Sequence, residues 1–143
     1  MLCLAMLVAS ASASSNLGSN YVLEMQKCEG AKDFTLHGLW PPENGCGGAP
    51  FNDTAVKDLL PKMKVDWLSC PEDGGDNEQF WSHEWEKHGT CSGLSEHDFF
   101  SAALKLRDEY ASTCHESPCR LQCDGVTGPC SMETVSLRGA AVV

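Results

Sequence analysis

Basic residues are scarce in this chain: ten Lys and Arg stand against twenty Asp and Glu, a formal net charge of −10. Neutralising nucleic-acid phosphates over a broad surface takes clustered Lys and Arg. That class of binder is therefore excluded, and any polyanionic ligand has to be held locally. Beyond the first residues, no segment is long or apolar enough to cross a membrane. There is no internal repeat and no sign of a second domain. The zinc-protease motif is missed by one residue. His83-Glu84 opens like it, but His88 lies five residues beyond His83 instead of four, about 140° round a helix. Paired Cys-x-x-Cys knuckles are also missing, which leaves zinc the weaker reading of Cys114, Cys119, Cys123 and Cys130.

What is present suits one globular domain: 143 residues, 42% of them hydrophobic, with Gly and Pro turns throughout. Met1 to Ala13 (MLCLAMLVASASA) is apolar and then small, and is expected to be a signal peptide cleaved after Ala13, with residues 14–143 as the mature domain. Removing it discards Cys3 and leaves eight cysteines. An even count in a short exported chain reads as four disulfides. Asn52-Asp53-Thr54 is then an N-glycosylation sequon at Asn52.

Tyr21 to Met25 is a short apolar stretch. Phe34 to Trp40 (FTLHGLW) alternates as a strand does, with Phe34, Leu36 and Trp40 at even spacing and Thr35, His37 and Leu39 between them. Pro41-Pro42 ends it. Asp53 or Thr54 is expected to cap a helix over Ala55 to Met63, which Pro61 should kink or shorten. Ser95-Glu96-His97-Asp98 resembles a capping box opening an amphipathic helix, with Phe99, Phe100, Ala103, Leu104, Leu106 and Tyr110 as core candidates. His97 and His115 read as surface residues.

Phe80 to Cys91 (FWSHEWEKHGTC) carries the most chemistry per residue. A helix over Phe80 to His88 stacks His83 on Lys87 and Glu84 on His88, one turn apart in neighbouring columns. Glu84 is then placed to orient His88. Trp81 and Trp85 fall on an adjoining stripe that can sink into a core, and Gly89 supplies a helix stop. Polar residues on one stripe are commonly just a solvated face, but an exposed face gains nothing from two histidines.

Two histidines from separate elements, with a lysine and a glutamate beside one of them, suit phosphodiester cleavage through a ribose hydroxyl. One imidazole takes the 2′-hydroxyl proton while the other gives a proton to the departing 5′-oxygen. The phosphorane between those steps carries extra negative charge, so an ammonium such as that of Lys87 lowers the barrier.

FTLHGLWP (Phe34 to Pro41) and FWSHEWEKHGTC (Phe80 to Cys91), with Ser-Cys-Pro at Ser69 to Pro71 between them, resemble the two active-site segments of the T2-type acid ribonucleases. The likeness covers about Tyr21 to Tyr110 and is poor after residue 110. It implies an α+β fold, an antiparallel sheet with helices packed on it, shortened at the C-terminal end. It implies His37 and His88 as the acid and base pair, with Glu84 and Lys87 stabilising the phosphorane and tuning His88. His83 would hold the phosphate, Trp40 would stack on a base and Phe80 would line a second base site.

The implied reaction is metal-independent and needs no cofactor. Single-stranded RNA is cleaved to 2′,3′-cyclic phosphates and then 3′-phosphates, while DNA, lacking the attacking hydroxyl, is spared. A monomer is expected, secreted or sent to a vacuole or lysosome, with no membrane partner. The resemblance also implies disulfides Cys46–Cys91 and Cys28–Cys70, and leaves the last four cysteines to pair among themselves.

The chain departs from the family's pattern at several points. Gln26-Lys27-Cys28 runs almost directly into Phe34, without the usual Trp-Pro and further cysteines. Pro42 stands where an acidic base-reading residue is common. Only 33 residues follow Tyr110, so a sheet missing partners is expected to expose edges and apolar surface. The alternative function is a catalytically impaired relative serving as a secreted storage or binding protein.

Overall fold

Asn20–Gln26 forms strand β1 and Thr35–Trp40 forms β2, an antiparallel pair. The computed structural model describes residues 20–132; the expected signal peptide lies outside the described residues. Strands β3 (Cys119–Asp124) and β4 (Cys130–Met132) complete a sheet of order β2-β1-β3-β4, antiparallel throughout. β1 is central because it is apolar at alternate positions: Tyr21, Leu23 and Met25 all point into the core.

The β1–β2 register slips at a bulge. Glu24 opposes Gly38 and Met25 opposes Leu36, leaving His37 as the extra, unpaired residue. One extra residue reverses facing parity beyond it. This corrects the simple alternation, which set Leu39 on the same face as His37 and Trp40 with Leu36. Leu36 and Leu39 are both buried in the core, while His37 and Trp40 are only partly covered and their rings touch.

The expected helix at Ala55 to Met63 is two pieces. Asn52, not Asp53 or Thr54, caps a 3-10 turn over Asp53–Val56, its Oδ1 accepting from Thr54 N at 3.0 Å. Helix α1 follows at Leu60–Asp66. Pro61 lies in its first turn, where the missing N–H has no intrahelical partner to lose, so it starts the helix instead of kinking it. Helix α2 spans Asn77–Lys87, three residues earlier than the apolar pattern suggests, because Asp76 caps it by accepting from Gln79 N at 3.0 Å. Helix α3 spans Glu96–Tyr110 and opens at Ser95, whose hydroxyl accepts from Asp98 N at 3.1 Å.

α3 lies on the core face of the sheet, and Phe99 and Phe100 meet Trp67 and Trp85 between the layers. Trp81 joins the same core. Arg107 ties the layers at the edge, donating to Phe34 O at 2.9 Å and pairing with Asp66 at 3.1 Å. Gly89 does not act as a left-handed helix stop. It begins a 3-10 turn, and a Cβ there would fall 2.2 Å from the Trp85 ring, so only glycine lets the two approach.

Among the described residues four disulfides form: Cys28–Cys70, Cys46–Cys91, Cys114–Cys119 and Cys123–Cys130. The last two take up all four cysteines for which zinc was the weaker reading. Cys46–Cys91 clamps the glycine-rich loop Glu43 to Pro50 to the end of α2, assisted by Gly45 N donating to Lys87 O at 2.7 Å and Trp85 Nε1 donating to Ala49 O at 2.9 Å. Broad exposure of apolar surface is not found among the described residues, where Val65 and Met132 are the large hydrophobic side chains left open.

Candidate active site

The bulge in β2 fixes where His37 can point. Its carbonyl accepts from Trp67 Nε1 at 2.9 Å, and its ring Nδ1 lies 3.0 Å from Gln26 Oε1 and 3.3 Å from Glu24 Oε1. The Gln26 amide is itself oriented, donating through Nε2 to Asp73 Oδ2 at 2.7 Å and to Leu68 O at 3.3 Å. Its oxygen is therefore an acceptor, which assigns the proton of a neutral His37 to Nδ1. Nε2 is left facing Glu84, 4.0 Å from Oε1.

Glu84, on α2, is 2% exposed. Burial pushes its carboxyl up to about 7, against the opposing pull of a hydrogen bond from Trp40 and the charge of Lys87. That bond, Trp40 Nε1 to Glu84 Oε2, is 2.8 Å long and joins the strand to the helix. It exists because residue 38 is glycine: a Cβ there would fall 2.1 Å from Glu84 Oε2 and 2.2 Å from Trp40 Nε1. The expected partnership of Glu84 with His88 is limited to backbone, His88 N donating to Glu84 O at 3.0 Å, because the carboxylate turns to Trp40 and His37.

His88 closes α2 as its C-terminal cap and is 8% exposed. Burial brings its imidazole down to about 4, helped by the positive charges of Lys87, His83 and His37. Its Nδ1 is buried without a hydrogen-bond partner among the described residues, a further reason for the ring to stay neutral. Trp40 touches both imidazoles, stacking on His88 with centroids 5.3 Å apart and meeting His37 edge-on at 5.3 Å.

A cleft of about 450 Å³ opens beside this cluster, lined by His37, Asp73, Gln79, Phe80, His83 and Glu84. Phe80 meets His37 edge-on at 5.3 Å. His83 and Lys87 are exposed on α2. His88 does not line this cleft, and the Trp40 ring stacks on it. His97, expected at the surface, is there, paired with Asp58 at 3.0 Å, and His115 is exposed as well. Among the described residues no group of three or more His, Cys, Asp or Glu side chains is arranged to hold a metal ion.

Sequence reasoning missed Glu24, Gln26, Asp73 and Arg120. A signal existed for Glu24, the one charge inside the apolar run Tyr21 to Met25. None existed for Arg120, whose place beside Glu24 depends on the β1–β3 register.

A profile described as the Ribonuclease T2 family matches residues 10–117. Ribonuclease 1 of Arabidopsis thaliana is 44% identical over 90 residues, covering 55% of this chain and 38% of that protein. Extracellular ribonuclease LE of Solanum lycopersicum is 40% identical over 91 residues, covering 55% and 39%. Among solved structures, ribonuclease MC1 from bitter gourd seeds aligns with a TM-score of 0.59 and 31% identity, over 64% of this chain and 58% of that one. A mutant of it solved in complex with 5′-GMP aligns with a TM-score of 0.57. The chain thus spans about two fifths of the length of these curated relatives. The family profile runs through both histidine-bearing segments and most of the described fold, and on that match this chain belongs to the ribonuclease T2 family.

Proposed function

We propose that this chain is an endoribonuclease that cleaves single-stranded RNA by transesterification, giving a 2′,3′-cyclic phosphate that is then hydrolysed to a 3′-phosphate, with no metal in the reaction. The observation that carries the reading is the grouping of His37, Glu84 and His88 around Trp40, with the last two pushed in opposite directions by burial. A His88 ring near 4 is neutral in mildly acidic solution, the form a base needs to take the 2′-hydroxyl proton. Its buried Nδ1 leaves Nε2 to exchange the proton.

His37 is the acid. Its Nδ1 side is held by β1 while Nε2 is free to deliver a proton to the departing 5′-oxygen. A Glu84 carboxyl near 7 is protonated at acidic pH and donates a hydrogen bond to the phosphorane instead of repelling it. Lys87 adds positive charge, and His83, exposed in the cleft, takes the phosphate. Phe80, which lines the cleft, and Trp40 serve bases. Four disulfides and an exposed Asn52 sequon suit a monomer made in the secretory pathway, glycosylated at Asn52.

The test is incubation of the purified, oxidised protein with a short RNA and product analysis for cyclic phosphate. His37→Ala and His88→Ala should each lower turnover about 100-fold or more. Near-normal turnover in either folded variant overturns the reading. RNA binding without cleavage by the unaltered protein would favour the storage or binding role.

A further inference from the structure

Glu24 is a carboxylate 5% exposed in the middle of the central strand, on the face opposite Leu23 and Met25. A buried carboxylate is costly unless its charge is met. Two groups meet it from different strands. His37 Nδ1 on β2 lies 3.3 Å from Oε1, and Arg120 Nε on β3 bonds Oε2. Glu24 and Arg120 are directly opposed in the β1–β3 ladder, and disulfides Cys114–Cys119 and Cys123–Cys130 hold β3 at both its ends. The Arg120 guanidinium also lies 5.8 Å from the centre of the Trp40 ring. Arg120 falls after residue 117, where the family match ends.

We propose that Glu24 and Arg120 are a positioning pair for the cleavage reaction. Arg120 pins one carboxylate oxygen of Glu24 so that the other faces His37 Nδ1 and steadies the imidazolium that serves as the acid. This rests on the proposed ribonuclease reading and names a part of that site contributed by the β3–β4 hairpin. Gln26 fixes the tautomer of His37 by accepting from Nδ1, and Glu24 supplies the negative charge that Gln26 lacks. The other charged or titratable groups about His37 are Glu84, His83 and His88 from α2 and Asp73 from the turn before it. Among the charged groups of the described residues, Glu24 is the one in contact with Nδ1. The proton lost from Nε2 ends on the 5′-oxygen, and the Nδ1 proton stays in place.

The experiment compares two substrates. A diribonucleotide needs a proton on its leaving oxygen; a ribonucleoside 3′-(4-nitrophenyl phosphate) has a leaving group that departs without one. Glu24→Gln keeps the shape and removes the charge. It should lower kcat on the diribonucleotide about tenfold or more, leave KM within about twofold, and leave kcat on the nitrophenyl ester within about twofold. Arg120→Ala should repeat the pattern more weakly, and Arg120→Lys should recover part of it. Equal losses on both substrates, or a change confined to KM, overturn the proposal.

If the unaltered protein cleaves neither substrate, the ribonuclease reading fails by itself, and the pair is judged by nitrogen-15 NMR of His37. Exchange of the Nδ1 proton with water should quicken several-fold in Glu24→Gln. Unchanged exchange overturns the pairing.

Discussion

The indole of Trp40 and the carboxyl of Glu84, 44 residues apart in sequence, are joined by a 2.8 Å hydrogen bond that ties the edge strand β2 to helix α2. The same indole stacks on His88 and meets His37 edge-on, so one aromatic ring sets the spacing of all three titratable groups. Active-site geometry of this kind tolerates errors of only about half an ångström. Whatever disturbs the Trp40–Glu84 contact should disturb the reaction.

Gly38→Ala is the smallest such disturbance. The added methyl would lie 2.1 Å from Glu84 Oε2 and 2.2 Å from Trp40 Nε1, so at least one must move by about an ångström. RNA cleavage should fall about 100-fold, with a stability loss of about 1–3 kcal/mol from overpacking. Turnover measured beside a thermal melt checks this, and a wild-type rate from a folded Gly38→Ala protein refutes it.

Glu84 and His88 make opposing contributions to stability as pH changes. Glu84, raised from 4.5 to about 7, binds its proton more tightly in the folded chain, so its contribution is full below about 4.5 and is lost as pH rises to about 7. His88, lowered from 6.5 to about 4, has its proton bound more tightly by the unfolded chain, so stability is lost as pH falls from about 6.5 to about 4. Each shift is worth roughly 3 kcal/mol, and between about pH 4.5 and 6.5 the two slopes nearly cancel. Glu84→Gln should expose the His88 slope, with stability rising with pH across that window; His88→Asn should expose the reverse. Urea midpoints at several pH values report the slopes, and parallel profiles for both variants would contradict the assignment.

The sequence shows the parts of this fold that depend on local chemistry. The Ser95 cap of α3, the strand ending at Pro41-Pro42 and the tryptophan stripe of α2 each follow from side chains a few residues apart. The bulge at His37 does not, because it arises from pairing with β1, and period-two alternation carries no mark of an inserted residue. For the same reason His37, Glu84 and His88 are legible as candidate site residues while their partners are not. The turn of Glu84 toward Trp40 and the support of His37 by Glu24 depend on contacts between distant elements. The start of α1 is hidden for a different reason: Pro61 is compatible with a helix start as well as with a break, and Asn52 competes with its neighbours as a cap.

Cys46–Cys91 closes a loop of 45 residues and holds the glycine-rich segment against the last turn of α2. Replacing both cysteines by serine should cost about 3–4 kcal/mol through chain entropy. It should also loosen the end of α2 that carries Lys87 and His88, so activity should fall further than the unfolded fraction accounts for. Thermal melts with turnover measured well below the midpoint separate the two effects. Activity that tracks only the folded fraction would show that the clamp does nothing for the site.

The attacking group in the proposed reaction belongs to the substrate, which gives the sharpest check on mechanism. A neutral His88 needs a 2′-hydroxyl from which to take a proton, and the charge built up on phosphorus is met by Lys87 and Glu84. No step calls on a bound cation. An RNA oligonucleotide carrying a single 2′-O-methyl group should be cut at every susceptible linkage except the one 3′ to that group, and the DNA of the same sequence should remain intact. Cleavage of the RNA should proceed at the same rate in EDTA. Cutting at the methylated linkage would require water as the nucleophile and would remove His88 from the role of base, since its neutral ring would have no substrate proton to take. A chelator-sensitive rate would overturn the metal-free reaction.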